Sequence, residues 1–412
     1  MIDPAPFYMI VIVAALMVGA YRMVHGRAAR MVAEFRTETT LPDAQPRHHA
    51  RLAAALVGLA GVAIYLIGLA ARGGDPTLAE DAVWLAAIVL GPAAVTGLCL
   101  ANVRPDFAAR ARVEYMAETG LMALALVALL TTVGIVGSLV FEASLFFRNV
   151  SVLDFLFGTH WSPQTPIRAG QAGQSGAFGA VPVFAGTFLV TLIAMVVAAP
   201  VGLMVAIYLS EYASSRTRAV AKPAIEVLAG IPSVVYGFFA LISVGPLIRD
   251  AADWLGFGVS AQSALAVGLV MGVMIIPLVS SLSDDVIRAV PQSLRNSSTA
   301  LGATRSETLK RVVFRSALPG IIGAFLLAIS RAIGETMIVV MAASRAATLT
   351  GNPFDAVTTV TVQIVALLTG DQVFDSPRTL AAFALGLVLF VITLLLNIGA
   401  LAVVNRYRVR FE

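Results

Sequence analysis

Two opposite charges, Arg331 and Glu335, stand four residues apart inside an apolar run that extends from Gly320 to Met341. A charge at the centre of a bilayer costs about 2.5 to 3.5 kcal/mol on insertion scales, so such residues face a bundle interior or a water-filled path. On a continuous helix that spacing puts both side chains on one face, where they can pair. Two readings follow. Arg331 can border an anion route, since a guanidinium presents donors matched to an oxyanion, with Glu335 holding or releasing it as the path changes shape. Equally, the two can form a static ion pair that fixes helix packing. A second pair at the same spacing, Lys222 and Glu226, reads as an ordinary interfacial ion pair.

Other chemistry is scarce. The only lysines, Lys222 and Lys310, follow Ala221 and Leu309, so the chain has no Gly-Lys-Ser/Thr tripeptide of a phosphate-cradling loop. If ATP drives this protein, another subunit binds the nucleotide. Four scattered histidines, one cysteine and no carboxylate pair at metal-ligand spacing give a membrane-embedded enzyme little support. His48 and His49 read as linker residues, His160 has no obvious partner, and Cys99 alone allows no internal disulfide.

The elements that position these residues are membrane spans. The chain is 58% hydrophobic and 13% charged, against about 25% charged for a soluble domain. Nine apolar runs approach or exceed bilayer-spanning length: Phe7 to Tyr21, Leu52 to Ala71, Ala82 to Val103, Gly120 to Val140, Val181 to Ser210, Ala224 to Ile248, Ala264 to Ser283, Gly320 to Met341 and Leu380 to Val404. The expectation is an all-α polytopic membrane protein. Arginine clusters follow spans one, three, five, seven and nine, which places the N-terminus outside and the C-terminus in the cytoplasm. The same rule accounts for the basic balance without nucleic acid. With no basic region before it, the first span reads as an uncleaved anchor.

The chain divides into residues 1–118, with three spans and the polar linker Thr37 to Arg51, and residues 119–410, with six spans. Between spans four and five, an outer loop begins with a Phe/Leu-rich stretch that reads as an interfacial amphipathic helix. It ends in the Gly/Gln-rich segment Arg168 to Gly179, expected to be mobile. Trp161 reads as an interfacial aromatic anchor, and Glu142 and Asp154 as solvated loop charges. Span six is interrupted by Gly230 and Pro232, which can gate the path by breaking the helix or serve as a packing kink.

The charged segment Asp284 to Leu318 lies between spans seven and eight, on the inner face. Pro291 suits a first helical position, Gly302 the left-handed stop after it, and Thr304 to Glu307 forms a capping box for a second helix. Leu309, Val312 and Val313 mark an apolar face. A capped helical hairpin of this kind offers a docking surface to a soluble partner.

The hairpin resembles the coupling loop of ABC importer permeases. Asn296, Ser297 and Ser298 occupy that family's Glu-Ala-Ala positions, and Gly302 matches its glycine. Val312, Phe314 and Arg315 stand at its Ile, Leu and Pro, so only the glycine is identical. Lys222 to Leu241 (KPAIEVLAGIPSVVYGFFAL), Ala300 to Val313 (ALGATRSETLKRVV) and Arg331 to Ala343 (RAIGETMIVVMAA) are more closely similar to phosphate-specific importer permeases. Glu335-Thr336-Met337 and the stretch Gly158 to Pro163 are similar to the PstC type. The resemblance implies a six-span permease core over residues 119–410, preceded by a three-span extension.

It also implies a bacterial inner-membrane permease for inorganic phosphate, with Arg331, Glu335 and Thr336 in the translocation region. Asn296, Ser297, Ser298, Gly302, Thr304 and Glu307 would couple to a partner ATPase. The implied partners are a PstA-like second permease, a PstB-like ATPase dimer carrying ATP and Mg, and a PstS-like binding protein. No cofactor is expected on this chain. Another oxyanion, or transport without ATP, is the competing expectation.

Overall fold

Helices long enough to cross a bilayer carry most of the chain's apolar residues, as the apolar runs require. The computed structural model describes residues 5–34, 46–71, 78–101, 103, 109–163, 176–256, 258–369 and 376–407. Most of the linker and the Gly/Gln-rich stretch through residue 175 lie outside the described residues. Two compact units are present, Met1–Val133 and Gly134–Glu412.

In the first unit, α1 (Ala5–Glu34), α2 (Pro46–Ala71) and α3 (Leu78–Ala101) cover the first three expected spans. Six further helical stretches are long and apolar enough to cross a membrane among the described residues: Ala109–Asn149, Val181–Tyr212, Ser233–Trp254, Ala264–Ala289, Arg305–Ile333 and Pro377–Arg406. They match the six expected spans of the C-terminal core in order.

In the second unit, α4 (Ala109–Asn149, reaching in from the first) ends near α5 (Val152–Phe157). Glu142 therefore sits in a helix rather than a loop. The short strands β1 (Trp161–Ser162) and β2 (Ala177–Phe178) pair antiparallel. Phe146, Phe155, Trp161 and Phe178 form a buried edge-to-face aromatic cluster, with Phe146 centred 5.3 Å from Phe155 and 5.4 Å from Phe178. Trp161 is thus no lipid-interface anchor. It is only 8% exposed and its indole N–H donates to Gln363 Oε1 at 2.9 Å.

The centre of the unit is α10 (Ala264–Ala289), packed along α6 (Val181–Ile207). A Cβ on Gly272 would come within 2.9 Å of the Ala194 carbonyl oxygen, so the two backbones meet only because this residue has no side chain. Span seven runs six residues past its expected end, to Ala289, so Asp284 belongs to this helix and not to a water-facing loop.

Span six differs most from expectation. Residues 224–230 belong to an amphipathic helix α7 (Ser215–Gly230), capped by Ser214, whose hydroxyl accepts from the Thr217 N–H at 3.1 Å. The membrane stretch starts only with α8 (Ser233–Phe239) and continues through a π-helical turn, Ala240–Val244, into α9 (Gly245–Trp254). Ile231 is extended at ψ 127° because the ring of Pro232 excludes the helical conformation before it.

Span eight also breaks. The long helix is built from α12 (Arg305–Thr308), a π turn Leu309–Val313 and α13 (Phe314–Ile333). It stops at Gly334 and resumes as α14 (Met337–Ala342), followed by α15 (Val360–Leu368) and α16 (Pro377–Tyr407).

Candidate functional site

The hairpin is one free helix joined to the foot of a membrane helix. Pro291 caps α11 (Gln292–Ala300) from the extended conformation, one position before the expected first helical turn. The helix then closes as its residue types dictate. The Ala303 N–H reaches the Ser298 carbonyl at 3.2 Å, the Gly302 N–H reaches that of Thr299 at 3.0 Å, and Gly302 has φ +84°. This is a Schellman stop, which only glycine adopts without steric strain.

Two residues later the capping box forms in both directions. The Thr304 N–H donates to Glu307 Oε2 at 2.9 Å, and the Glu307 N–H donates to Thr304 Oγ1 at 3.3 Å. A hydroxyl contact of 2.9 Å between Ser298 and Thr308 ties the two arms together. Leu309 and Val313 bury against Ile287, Val290 and Ala206, while Lys310 and Arg311 stay exposed.

Of the coupling candidates, Asn296, Ser297, Gly302, Thr304 and Glu307 are exposed around one rim, and Ser298 is half-buried between the arms. The rim has an apolar member that sequence reasoning missed. Leu301, the C-cap before Gly302, is 89% exposed at the tip.

Charged contacts fasten the hairpin's base to α7 and to the turn that follows α6. The buried Asp284 accepts from Arg218 Nη2 at 2.7 Å and from Lys222 Nζ at 3.1 Å. Lys222 also lies 3.8 Å from Asp285, so its partners are these aspartates and not Glu226, four residues along its own helix. Arg295 of α11 donates to the buried Glu211, in the π turn Tyr208–Tyr212 after α6, and to the Ile287 carbonyl at 2.7 Å. The Arg305 guanidinium sits over the Tyr212 ring, 5.3 Å from its centre. The hairpin is therefore gripped by α7 and by the end of α6.

The second cluster lies at the break in span eight. Arg331 is exposed in the last turn of α13, whereas Glu335 and Thr336 are half-buried in the non-helical step after Gly334. The step removes the shared helical face that the spacing suggested. Among the described residues no ion pair joins Arg331 to Glu335 or to any other carboxylate. The break is held by Thr361, whose hydroxyl donates to the Glu335 carbonyl at 2.9 Å, and by Thr336, which donates to the Gly334 carbonyl at 3.2 Å.

The interruption at Gly230 and Pro232 is linked to this one. A Cβ on Gly237, in α8, would lie 2.9 Å from Met341 Cβ and 3.1 Å from the Met337 carbonyl oxygen. The half-helices that follow the two breaks therefore pack backbone to backbone. Neither Thr361 nor Gly237 was signalled as a partner by the local sequence, because both contacts arise from tertiary packing.

The family model for a binding-protein-dependent transport system inner membrane component matches residues 198–409, which include the hairpin and both breaks. The chain is 36% identical to the probable ABC transporter permease protein YqgH of Bacillus subtilis, over 60% of this chain and 76% of that protein. It is 33% identical to the phosphate transport system permease protein PstC 1 of Mycobacterium tuberculosis, over 62% of this chain and 82% of that protein. Among solved structures, a bacterial ABC transporter involved in import of the acidic polysaccharide alginate has a similar fold. Its TM-score is 0.50 at 13% identity, covering 72% of this chain and 99% of that one. The chain belongs to the family of binding-protein-dependent transport system inner membrane components.

Proposed function

We propose that the chain is the permease subunit of an ATP-driven inorganic phosphate importer in a bacterial inner membrane, with its N-terminus outside and its C-terminus in the cytoplasm. The observation that carries this reading is the mid-membrane break at Gly334. It leaves Arg331 exposed, without a carboxylate partner among the described residues, in a chain 33% identical to a PstC protein. An exposed guanidinium beside a half-buried carboxylate can take an oxyanion and release it, because nearby negative charge keeps the binding weak.

A second, PstA-like permease completes the path. A PstB-like ATPase dimer, carrying ATP and Mg, docks on the rim formed by Asn296, Ser297, Ser298, Gly302, Thr304 and Glu307. A PstS-like protein delivers phosphate from outside. Nucleotide-driven closure of the ATPases moves the hairpin, the charged contacts at Asp284 and Glu211 carry that motion into α7 and α6, and the broken spans respond. This chain itself holds no cofactor, and residues 1–118 extend a core of residues 119–410.

Reconstitution tests the assignment. Proteoliposomes holding this chain, its second permease and the ATPase should take up phosphate only with ATP and loaded binding protein, and sulfate or molybdate should not compete. Uptake without the ATPase, or preference for another oxyanion, would overturn it.

A further inference from the structure

A small hollow with a free volume of about 10 Å³ lies between α7 and α10, beside the π turn that follows α6. Its polar walls are Lys222 and Glu226 from α7 and Ser280, Ser281 and Asp284 from α10. A spacing of four puts Lys222 and Glu226 on one face of α7, and Ser280 and Asp284 on one face of α10. The sequence pairs Lys222 with Glu226, but in the fold Lys222 turns to the aspartates and Glu226 is left at the hollow.

A second observation concerns Asp284, which is 2% exposed. Its Oδ2 takes both cations, Arg218 at 2.7 Å and Lys222 at 3.1 Å. Its Oδ1 is buried and meets no hydrogen-bond donor among the described residues. A buried carboxylate oxygen without a donor bears the full cost of its lost hydration, so this oxygen calls for a small donor. Size and charge select which. The hollow has about the room of one water molecule. A cation there would be repelled by the guanidinium and ammonium already on Asp284, and an anion by the two carboxylates.

We propose that this hollow is a binding site for one structural water molecule, which donates to Asp284 Oδ1 and is held by the Ser280 hydroxyl and, across the joint, by Glu226. Such a water has the two to four polar partners that an ordered buried water needs. It bridges α7 to α10 beside their ion pairs and gives Glu226 a partner that Lys222 does not supply. The site rests on the Asp284 contacts alone and does not depend on which solute the permease core carries.

Hydroxyl-radical footprinting with a short X-ray pulse tests the site, because radiolysis of a bound water oxidises the side chains next to it. Leu209 and Pro277 line the hollow and are themselves buried. In the full-length chain in nanodiscs, and corrected for intrinsic reactivity, both should be oxidised several-fold faster than the fully buried Ile275 and Leu385. Ser280→Val, which removes the hydroxyl and fills the hollow with a methyl group, should bring both down to the rate of those core residues. Core-like rates in the unaltered chain, or rates unchanged in Ser280→Val, would each overturn the proposal. A high-resolution cryo-EM map of the unaltered full-length chain checks the occupant without any variant. Density at about 2.8 Å from Asp284 Oδ1 is the expected water. An ion ringed by oxygens at about 2.0 to 2.6 Å, or no density where other buried waters are seen, would overturn it.

Discussion

Arg218 donates to Asp284 at 2.7 Å across 66 residues of sequence, joining an amphipathic helix to the base of the hairpin. Asp284 is 2% exposed, and the same oxygen takes Lys222 at 3.1 Å. Removing one partner of a buried charged group leaves the other uncompensated, a loss of about 3 kcal/mol. Asp284→Asn should therefore destabilise the chain by about that much, more than Arg218→Met, with Lys222→Met mildest because Arg218 still holds the aspartate. In the assembled transporter, Asp284→Asn should leave ATP hydrolysis running while phosphate uptake falls. Thermal unfolding and paired ATPase and uptake assays check both parts.

Arg331→Gln should abolish phosphate uptake and leave assembly of the complex intact, as measured by co-purification of the second permease and ATPase. Normal uptake would remove Arg331 from the path. Because no ion pair joins Arg331 to Glu335, their effects on thermal stability should add to within about 0.5 kcal/mol in a double-mutant cycle with Glu335→Gln. A larger coupling would mean that the two side chains meet in the resting protein.

The hairpin turn depends on one backbone angle. At φ +84°, Gly302→Ala should cost about 1 kcal/mol, and Gly302→Asn less, since asparagine tolerates the left-handed region. Thr304→Ala should cost about 1 kcal/mol by loss of the reciprocal cap. Denaturation midpoints of the three variants give the ranking.

Leu301 should matter for docking and not for folding. At 89% exposure, its replacement by aspartate should change stability by less than about 0.5 kcal/mol. The same change should weaken capture of the ATPase by roughly tenfold or more, as for an apolar anchor at an interface. Surface-immobilised ATPase with detergent-solubilised chain measures the affinity. Unchanged affinity would place the docking contact elsewhere on the rim.

Gln363→Leu should destabilise the core around the Trp161 aromatic cluster by about 1 to 3 kcal/mol. It strands the buried indole N–H of Trp161, and it removes the donor to the Arg345 carbonyl at 2.8 Å. Tryptophan fluorescence during thermal unfolding follows it.

Local patterns in the sequence were enough to place the six core spans, the Gly302 stop and the Thr304 cap, because each depends on residues within one turn of each other. Gly230 and Pro232 marked the interruption of span six, but hydropathy could not find the one in span eight. Glu335 and Thr336 stand among apolar residues, and the hydrogen bond that ties their step to the rest of the core comes from Thr361, 26 residues away. The same holds for Asp284, which reads as the start of a polar segment until Arg218 and Lys222 are brought to it from another helix. The partner of Lys222 was misread because helical spacing favours Glu226, whereas two aspartates on the neighbouring helix lie closer. Trp161 was misread because an aromatic near a membrane boundary looks the same whether it meets lipid or a buried glutamine.

At Gly237 there is no room for even a methyl group between α8 and the main chain of α14. Toothed in this way, the two half-helices turn together or not at all. A twist imposed on either is therefore delivered to Glu335 and Thr336, immediately before α14, so the charged step moves whenever the broken sixth span does.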